Sequence, residues 1–219
     1  MIRLEDLKNN EDVRILIERA DASLKVLGYT EHCFAHVTKS AETAGYILRT
    51  LGYGERDVEL ARVAGYLHDI GNLVNRSEHS QSGAVMAFVL LSNMGMDMAD
   101  IADVTTAIGN HDEGTGVPVN PIAAALILAD KADVRRSRVR LSAGEEADIH
   151  DRVNYSVEQA DLSVTADRSA IILSITLDPA YGSVMDYFVI FTERMLMCRR
   201  AAESLGLRFG LVINDQTLL

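Results

Sequence analysis

The chain has 219 residues and a formal net charge of −11, with 21 basic and 32 acidic side chains. An acidic chain is a poor match for nucleic-acid polymers or anionic membranes, so any anion site must use a local group of cations or a metal. The length fits one domain, or one domain with a small appendage, and 48% hydrophobic residues are enough to form a core.

Two cysteines, Cys33 and Cys198, lie far apart in the chain within helical patterns. No disulfide framework is therefore indicated, which fits a reducing compartment. No apolar run approaches the roughly 20 residues that a transmembrane helix needs. Residues 1–6 do not have the pattern of a signal peptide. We expect a cytoplasmic protein without a membrane partner.

The first two-thirds of the chain have the apolar periodicity of helices. Glycine, proline and polar caps mark where these helices begin and end. The predicted helices are 13–27, stopping at Gly28; 30–51, with Thr30 as N-cap and an end near Gly52; 55–70, with Gly71 as C-terminal cap; 77–93; a helix from about Asp97; and a helix that begins at Asn120-Pro121.

In the last third of the chain, the apolar pattern changes from helical periodicity to alternation. Alternating apolar residues over 162–166 and 171–177, with a turn at Asp167-Arg168, predict a hairpin. An amphipathic helix over 184–205 and a closing strand over 207–213 complete a β-β-α-β pattern. The fold class is mainly α: a helical domain over residues 1–145 and a small α+β unit over 146–219. The apolar stripe of the 184–205 helix predicts packing against the small sheet, with a homodimer interface as the alternative.

Six potential metal ligands lie in or beside the predicted helices. Imidazole and carboxylate groups are the usual ligands of Mn, Fe, Zn or Ni, and a cluster of them on helices predicts a metal centre. Adjacent residues on a helix point about 100° apart, but a helix end lets the His68-Asp69 pair point to one place. The predicted ligand set is His36, His68, Asp69, His79, His111 and Asp130.

Asp69 is the centre of the predicted chemistry because its two carboxylate oxygens can bridge two cations. Two metals roughly 3.5–4 Å apart can hold a bridging hydroxide and bind a phosphoryl group during in-line displacement. After His111, Asp112 and Glu113 are either proton donors to the leaving group or ordinary loop carboxylates. Asp69, Asp112 and Glu113 are thus the predicted catalytic residues.

Five cations follow Asp130 within ten residues, in a chain that is otherwise acidic. Arginine matches phosphate oxygens with two parallel hydrogen bonds, so this basic run favours a phosphorylated substrate. The alternative is a solvated helix face. The predicted phosphate ligands are Arg76, which lies three residues before His79, and Lys131, Arg135 and Arg138 from the basic run, which also contains Arg136 and Arg140.

The ligand set and its local contexts, such as Leu67-His68-Asp69-Ile70-Gly71 and Asn110-His111-Asp112-Glu113, resemble the HD-domain metal-dependent phosphohydrolase superfamily over about residues 30–140. The resemblance implies a helical fold and two divalent transition-metal ions, Fe, Mn, Zn or Ni. It also implies a first metal held by His36, His68, Asp69 and Asp130, with Asp69 as the bridge to a second metal held by His79 and His111.

The spacing is similar to the two-iron branch that hydrolyses dinucleoside polyphosphates. It departs from the cyclic-di-GMP phosphodiesterase branch, which has lysine at the position of Asn72, histidine at Asp112 and a Gly-Tyr-Pro signature where this chain has Gly-Val-Pro at 116–118. We therefore expect hydrolysis of another phosphate ester or anhydride, of a nucleotide or another small phosphorylated compound. The alternative is a regulatory nucleotide-binding module without turnover.

The two remaining histidines, His32 and His150, have no ligand pattern of their own. We interpret both as structural or surface side chains. His32 lies four residues before His36, on the same helical face, so a substrate-facing role is its alternative.

Overall fold

The computed structural model describes residues 2–140 and 149–219. Apolar stripes at helical spacing bury themselves against one another and form a helical bundle in the first part of the chain. Its helices are α1 (Leu4–Lys8), α2 (Glu11–Val26), α3 (Phe34–Leu51), α4 (Glu55–Leu67), α5 (His79–Asn93), α6 (Met98–Gly109) and α7 (Pro121–Lys131), with 3₁₀ helices at Ile70–Leu73 and Arg136–Arg138.

Capping groups begin or end three of these helices where the sequence predicts. The Asn120 side chain accepts a hydrogen bond from the Ala123 N–H at 2.7 Å, and Pro121 is the first helical residue of α7. The Asp97 side chain caps α6 in the same way. Gly52 ends α3 with a left-handed φ of 89°, a conformation that glycine adopts without strain.

The predicted start of the second helix at Thr30 is wrong, because α3 begins at Phe34. Side chains hold the preceding backbone in an extended path. Asp21 accepts the His32 N–H at 2.8 Å and Glu31 accepts the Cys33 N–H at 2.6 Å. These bonds satisfy backbone donors that a helix would otherwise use.

The predicted end of the third helix is also wrong. The helix α4 stops at Leu67, and Gly71 lies within a 3₁₀ turn instead of capping the helix. A Cβ on Gly71 would lie 1.9 Å from the His79 carbonyl oxygen and 2.5 Å from the Gly83 nitrogen. Glycine is needed there because the first turn of α5 packs directly on the backbone that follows His68-Asp69.

The second unit confirms the predicted β-β-α-β pattern and adds elements that were not predicted. It contains α8 (Ile149–Ser156), β1 (Val157–Val164), β2 (Ala170–Leu177), α9 (Val184–Ser204), β3 (Arg208–Ile213) and β4 (Gln216–Thr217). The strand order is β1-β2-β3-β4, with β2 and β3 parallel and the outer pairs antiparallel. The helix α8 and the short strand β4 lacked a recognisable sequence pattern.

The apolar face of α9 packs on β3 and, beyond the prediction, on α7 of the bundle. Phe191, Met195, Cys198 and Ala202 are buried on this face. The second unit therefore lies against the helix that carries Asp130. The predicted boundary between residues 145 and 146 falls in 141–148, outside the described residues. Among the described residues, no helix has the length and apolar character of a membrane span.

The Gly71→Ala substitution should destabilise the protein by about 3 kcal/mol, the upper end of the cost of overpacking, because the new methyl group meets backbone atoms that cannot move independently. Urea unfolding measures the difference. The matched control is Gly54→Ala, where a Cβ meets open space and φ is −67°. Equal stability of the two variants would contradict the close packing of α5 on this turn.

Candidate metal centre

The structure brings all six residues of the predicted ligand set together at one end of the bundle. His36 is in the first turn of α3, His68 and Asp69 follow the last residue of α4, and His79 is the first residue of α5. His111 lies just after α6, and Asp130 is in the last turn of α7. All four histidines and Asp69 are buried. Five helix ends thus converge on one buried cluster.

The first half of the cluster contains His36, His68 and Asp130. The Nε2 atoms of His36 and His68 are 3.2 Å apart. Asp130 Oδ1 lies 3.3 Å from His36 Nε2 and 3.6 Å from His68 Nε2. Asp69 Oδ2 lies 3.5 Å and 3.3 Å from the same two nitrogens. Two imidazole nitrogens and two carboxylate oxygens therefore face one point.

The second half contains His79 and His111, whose Nε2 atoms are also 3.2 Å apart. The other oxygen of Asp69, Oδ1, lies 3.5 Å from His79 Nε2. Each oxygen of Asp69 thus faces a different histidine pair. The ligand atoms of His68, Asp69 and His111 also lie within 4.8 Å of one another, so His68 contacts both halves.

The hydrogen bonds of the four histidines fix which ring nitrogen is available. His68 Nδ1 lies 2.9 Å from the Gly65 carbonyl, His79 Nδ1 lies 3.1 Å from that of Arg76, and His111 Nδ1 lies 2.6 Å from that of Ile108. His36 Nδ1 lies 2.8 Å from Asp133 Oδ2. Each Nδ1 therefore carries a proton, and each Nε2 faces the cluster.

This donor set fits cations. Lone pairs of two neutral imidazoles repel at 3.2 Å unless a proton or a cation lies between them. Asp69 Oδ2 is buried and makes no hydrogen bond with a described residue. Nitrogen and oxygen donors of this kind suit divalent transition metals.

Asp133 is a part of the site that the sequence analysis did not assign. It is fully buried and contacts Lys39 Nζ at 3.1 Å and Arg135 Nε at 3.0 Å, besides His36. Burial alone would raise the pKa of Asp133, but its hydrogen bond to His36 and the nearby cations hold that pKa far below the ordinary value. Its position three residues after Asp130, just beyond the end of α7, was the available signal.

The two histidine pairs differ in protonation when no metal is bound. Burial disfavours the charged form of His68, but Asp69 and Asp130 outweigh this and raise its pKa to about 10. Burial lowers the pKa of His79, and burial together with the charge of His68 lowers that of His111. Metal binding to the first pair must therefore displace a proton.

The cluster opens into a cavity of about 460 Å³, called here the site pocket. Of the predicted phosphate ligands, Arg76, Lys131 and Arg138 line it. Arg135 does not line it, because its guanidinium pairs with Glu31 at 3.0 Å and with Asp133. Arg136 and Arg140 are not in the lining either; they contact the Tyr155 carbonyl and Asp21 respectively. The basic run thus mainly joins parts of the fold.

The two predicted proton donors have different environments. Glu113 lines the site pocket and pairs with Lys131 at 3.3 Å and Arg194 at 2.9 Å. Burial would raise the pKa of Glu113, but these two cations lower it, which favours the carboxylate and disfavours proton donation. Asp112 Oδ1 lies 3.9 Å from His79 Nε2, outside the lining of the pocket.

Two other segments complete the pocket wall. Tyr29 and His32, from the connection between α2 and α3, line one side. The second unit contributes residues from α8 and α9, among them His150, Asn154, Phe191 and Arg194. The role of α9 has no signal in the sequence, because Arg194 follows Glu193 on an amphipathic helix and resembles a surface charge.

The fold and the cluster define a mainly helical protein with a buried histidine and aspartate centre. Residues 33–136 match the family model described as HD domain, a segment that contains the whole ligand set. Over this segment the chain is therefore similar to the HD superfamily. The match and the clustered ligands support a metal-dependent hydrolase as the general class.

Two similar proteins have known sequences or structures. An uncharacterized protein of Methanocaldococcus jannaschii is 24% identical over 204 residues, which cover 81% of this chain and 77% of the relative. The crystal structure of a predicted HD superfamily hydrolase from an uncultured Thermotogales bacterium is 25% identical. It covers 61% of this chain and 75% of its own, with a TM-score of 0.44.

The protein purified without added metal should contain about two transition-metal ions per chain by elemental analysis, as expected for a bridged centre. Asp69→Ala should lose most of them, because Asp69 faces both histidine pairs. The control is Glu158→Ala on the exposed side of β1. Equal metal content in the two variants, or none taken up by the wild-type protein, would contradict the metal centre.

Metal affinity should rise with pH between about 6 and 9. His68, with its pKa raised to about 10, carries a proton over this range, and the metal must displace that proton. Each displaced proton should tighten binding about tenfold per pH unit. Isothermal titration calorimetry in buffers of different ionisation enthalpy counts the protons released. Binding without proton release would contradict the protonated state of the first pair.

Proposed function

We propose that the protein is a metal-dependent phosphohydrolase that cleaves a phosphate ester or anhydride in a nucleotide or another small phosphorylated compound. The observation that carries the proposal is the position of Asp69, between two histidine pairs at the base of a pocket lined by cations. A shared carboxylate with nitrogen ligands on both sides can hold two cations close together, as two-metal phosphoryl chemistry needs.

The residues that would hold two metals follow from the geometry. His36, His68 and Asp130 would hold the first, His79 and His111 the second, and Asp69 would contact both. Bound there, two cations would supply an activated water and neutralise charge on the phosphoryl oxygens.

The surrounding residues hold this arrangement in place. The Asn72 amide donates to Asp69 Oδ1 and to the Asp69 carbonyl, both at 2.9 Å, which fixes the orientation of the shared carboxylate. Lys131 Nζ lies 2.8 Å from Asp130 Oδ2, on the side away from the histidines. Arg76 and Lys131 also line the pocket, where they can bind phosphate oxygens.

The pocket supports a small substrate. A cavity of about 460 Å³ lies within the range of small-molecule sites. The net charge of −11 means that the molecule as a whole repels polyanions. The pocket beside the cluster is, in contrast, lined by cations. Tyr29, His32 and Asn154 line the pocket, where they would contact a base or sugar, which supports a nucleotide.

Activity is tested with bis-p-nitrophenyl phosphate and a panel of nucleotides, each with Mn²⁺, Fe²⁺, Zn²⁺ or Ni²⁺. We expect metal-dependent release of product. Asp133→Asn should lower activity or metal affinity roughly 10- to 100-fold, because Asp133 orients the His36 ring. The control, Asp103→Asn, removes an exposed carboxylate paired with Arg56 and should not change activity.

Two results would contradict this proposal. Absence of turnover with every metal, together with retained nucleotide binding, would make the protein a binding module. Full activity of Asp133→Asn would contradict the orienting role that the proposal gives to the charge of Asp133 at His36.

A further inference from the structure

Arg194 is the pocket residue whose position the proposed function leaves unexplained. It lies on α9, outside the segment that matches the HD domain, yet it lines the site pocket beside Lys131. Its side chain is 23% exposed, so the guanidinium is largely enclosed. A charged group held inside a cavity needs a partner, and Arg194 has one carboxylate partner in the described residues.

Two contacts hold the Arg194 guanidinium in one orientation. Its Nε donates to Glu113 Oε1 at 2.9 Å, and its central carbon lies 4.4 Å from the centre of the Phe191 ring. The bond to Glu113 uses one of the three guanidinium nitrogens. The two terminal nitrogens make no hydrogen bond with a described residue. They therefore remain available to an oxyanion in the pocket.

The packing of α9 against the loop after His111 fixes this position independently. A Cβ on Gly116 would lie 2.3 Å from the Met197 side chain and 2.4 Å from the Asn110 carbonyl oxygen. The loop and α9 are thus in close contact one helical turn from Arg194. This contact keeps Glu113 and Arg194 adjacent.

The other pocket cations are more committed to the protein. Arg138 uses Nε and a terminal nitrogen on the carbonyls of Glu31 and Asp133, both at 2.8 Å. Lys131 contacts both Asp130 and Glu113. Arg76 uses one terminal nitrogen on Asn72 Oδ1 and on His79 Nε2, both at 3.3 Å. Among the described cations that line the pocket, Arg194 therefore combines a fixed orientation with two free terminal nitrogens.

We propose that Arg194 is a phosphate-binding residue, through which the second unit supplies part of the substrate site. Its two terminal nitrogens would bind two oxygens of one phosphate group, beside the metal centre. This inference rests on the proposed function for its substrate, but phosphate binding can be measured without turnover. It also gives the second unit a direct part in substrate recognition.

The first test is calorimetric titration of inorganic phosphate into the metal-loaded, full-length protein. Arg194→Met should raise the Kd roughly 10- to 100-fold, the value of hydrogen bonds to a charged group, without changing metal content. Arg194→Lys should recover only part of the affinity, because lysine restores the positive charge but not the two parallel N–H donors of the guanidinium. The control is Arg199→Met, an exposed residue of α9 paired with Glu203, which should bind as wild type.

A merely structural role would act through Glu113, and a second variant separates the two cases. If Arg194 binds phosphate directly, Glu113→Gln should bind phosphate as tightly as wild type or more tightly, since it removes a negative charge from the pocket. If Glu113→Gln weakens binding as much as Arg194→Met, and the double variant is no weaker, the inference is overturned. Equal binding by Arg194→Met and Arg199→Met also overturns it.

Turnover measured on the same preparations separates this inference from the proposed function. With an active enzyme, Arg194→Met should raise KM far more than it lowers kcat, as expected for loss of uniform binding. An unchanged KM would overturn the inference and leave the hydrolase intact. Phosphate binding that depends on Arg194, without turnover of any substrate, would support the inference and refute the hydrolase.

Discussion

The repulsion between paired imidazole lone pairs is the constraint on which the rest of this structure depends. Two pairs of Nε2 atoms lie 3.2 Å apart inside the protein, and Asp69 divides its oxygens between them. Such an arrangement is stable only with protons or cations between the nitrogens. Without metal, Asp69 and Asp130 meet this need at the first pair by keeping His68 protonated. The second pair has weaker anionic support, and burial keeps it neutral.

At this centre, the same contacts satisfy carbonyls at helix ends and orient the histidine rings. The last carbonyls of a helix lack partners within the helix. His68 and His111 each use Nδ1 to contact such a carbonyl, three residues earlier in α4 and α6. This contact satisfies the carbonyl and also turns the Nε2 lone pair toward the cluster. The close packing at Gly71 then brings His79 against the same turn, so backbone geometry sets the distance between the two pairs.

The local part of this design could be predicted from the sequence, and the long-range part could not. The His68-Asp69 pair, the Asn120-Pro121 helix start and the alternating strands are signals within a few residues, and each is confirmed as an element or a position in the cluster. Thr30 failed as a helix start because Asp21 accepts the backbone N–H of His32, eleven residues further along the chain. The partner of Glu113 is 81 residues further along the chain, and no periodicity links Glu113 to Arg194.

The pairing of charges in the pocket gives metal and phosphate an order of binding. Lys131 and Arg194 share Glu113, and Lys131 also contacts Asp130, so carboxylates largely neutralise the pocket cations before anything binds. Divalent cations in the cluster would neutralise Asp69 and Asp130 and leave the pocket with an excess of positive charge. Phosphate should then bind more tightly to the metal-loaded protein, and linkage requires that phosphate tighten metal binding by the same factor. The acidic protein would therefore bind anions weakly until metal ions occupy the cluster.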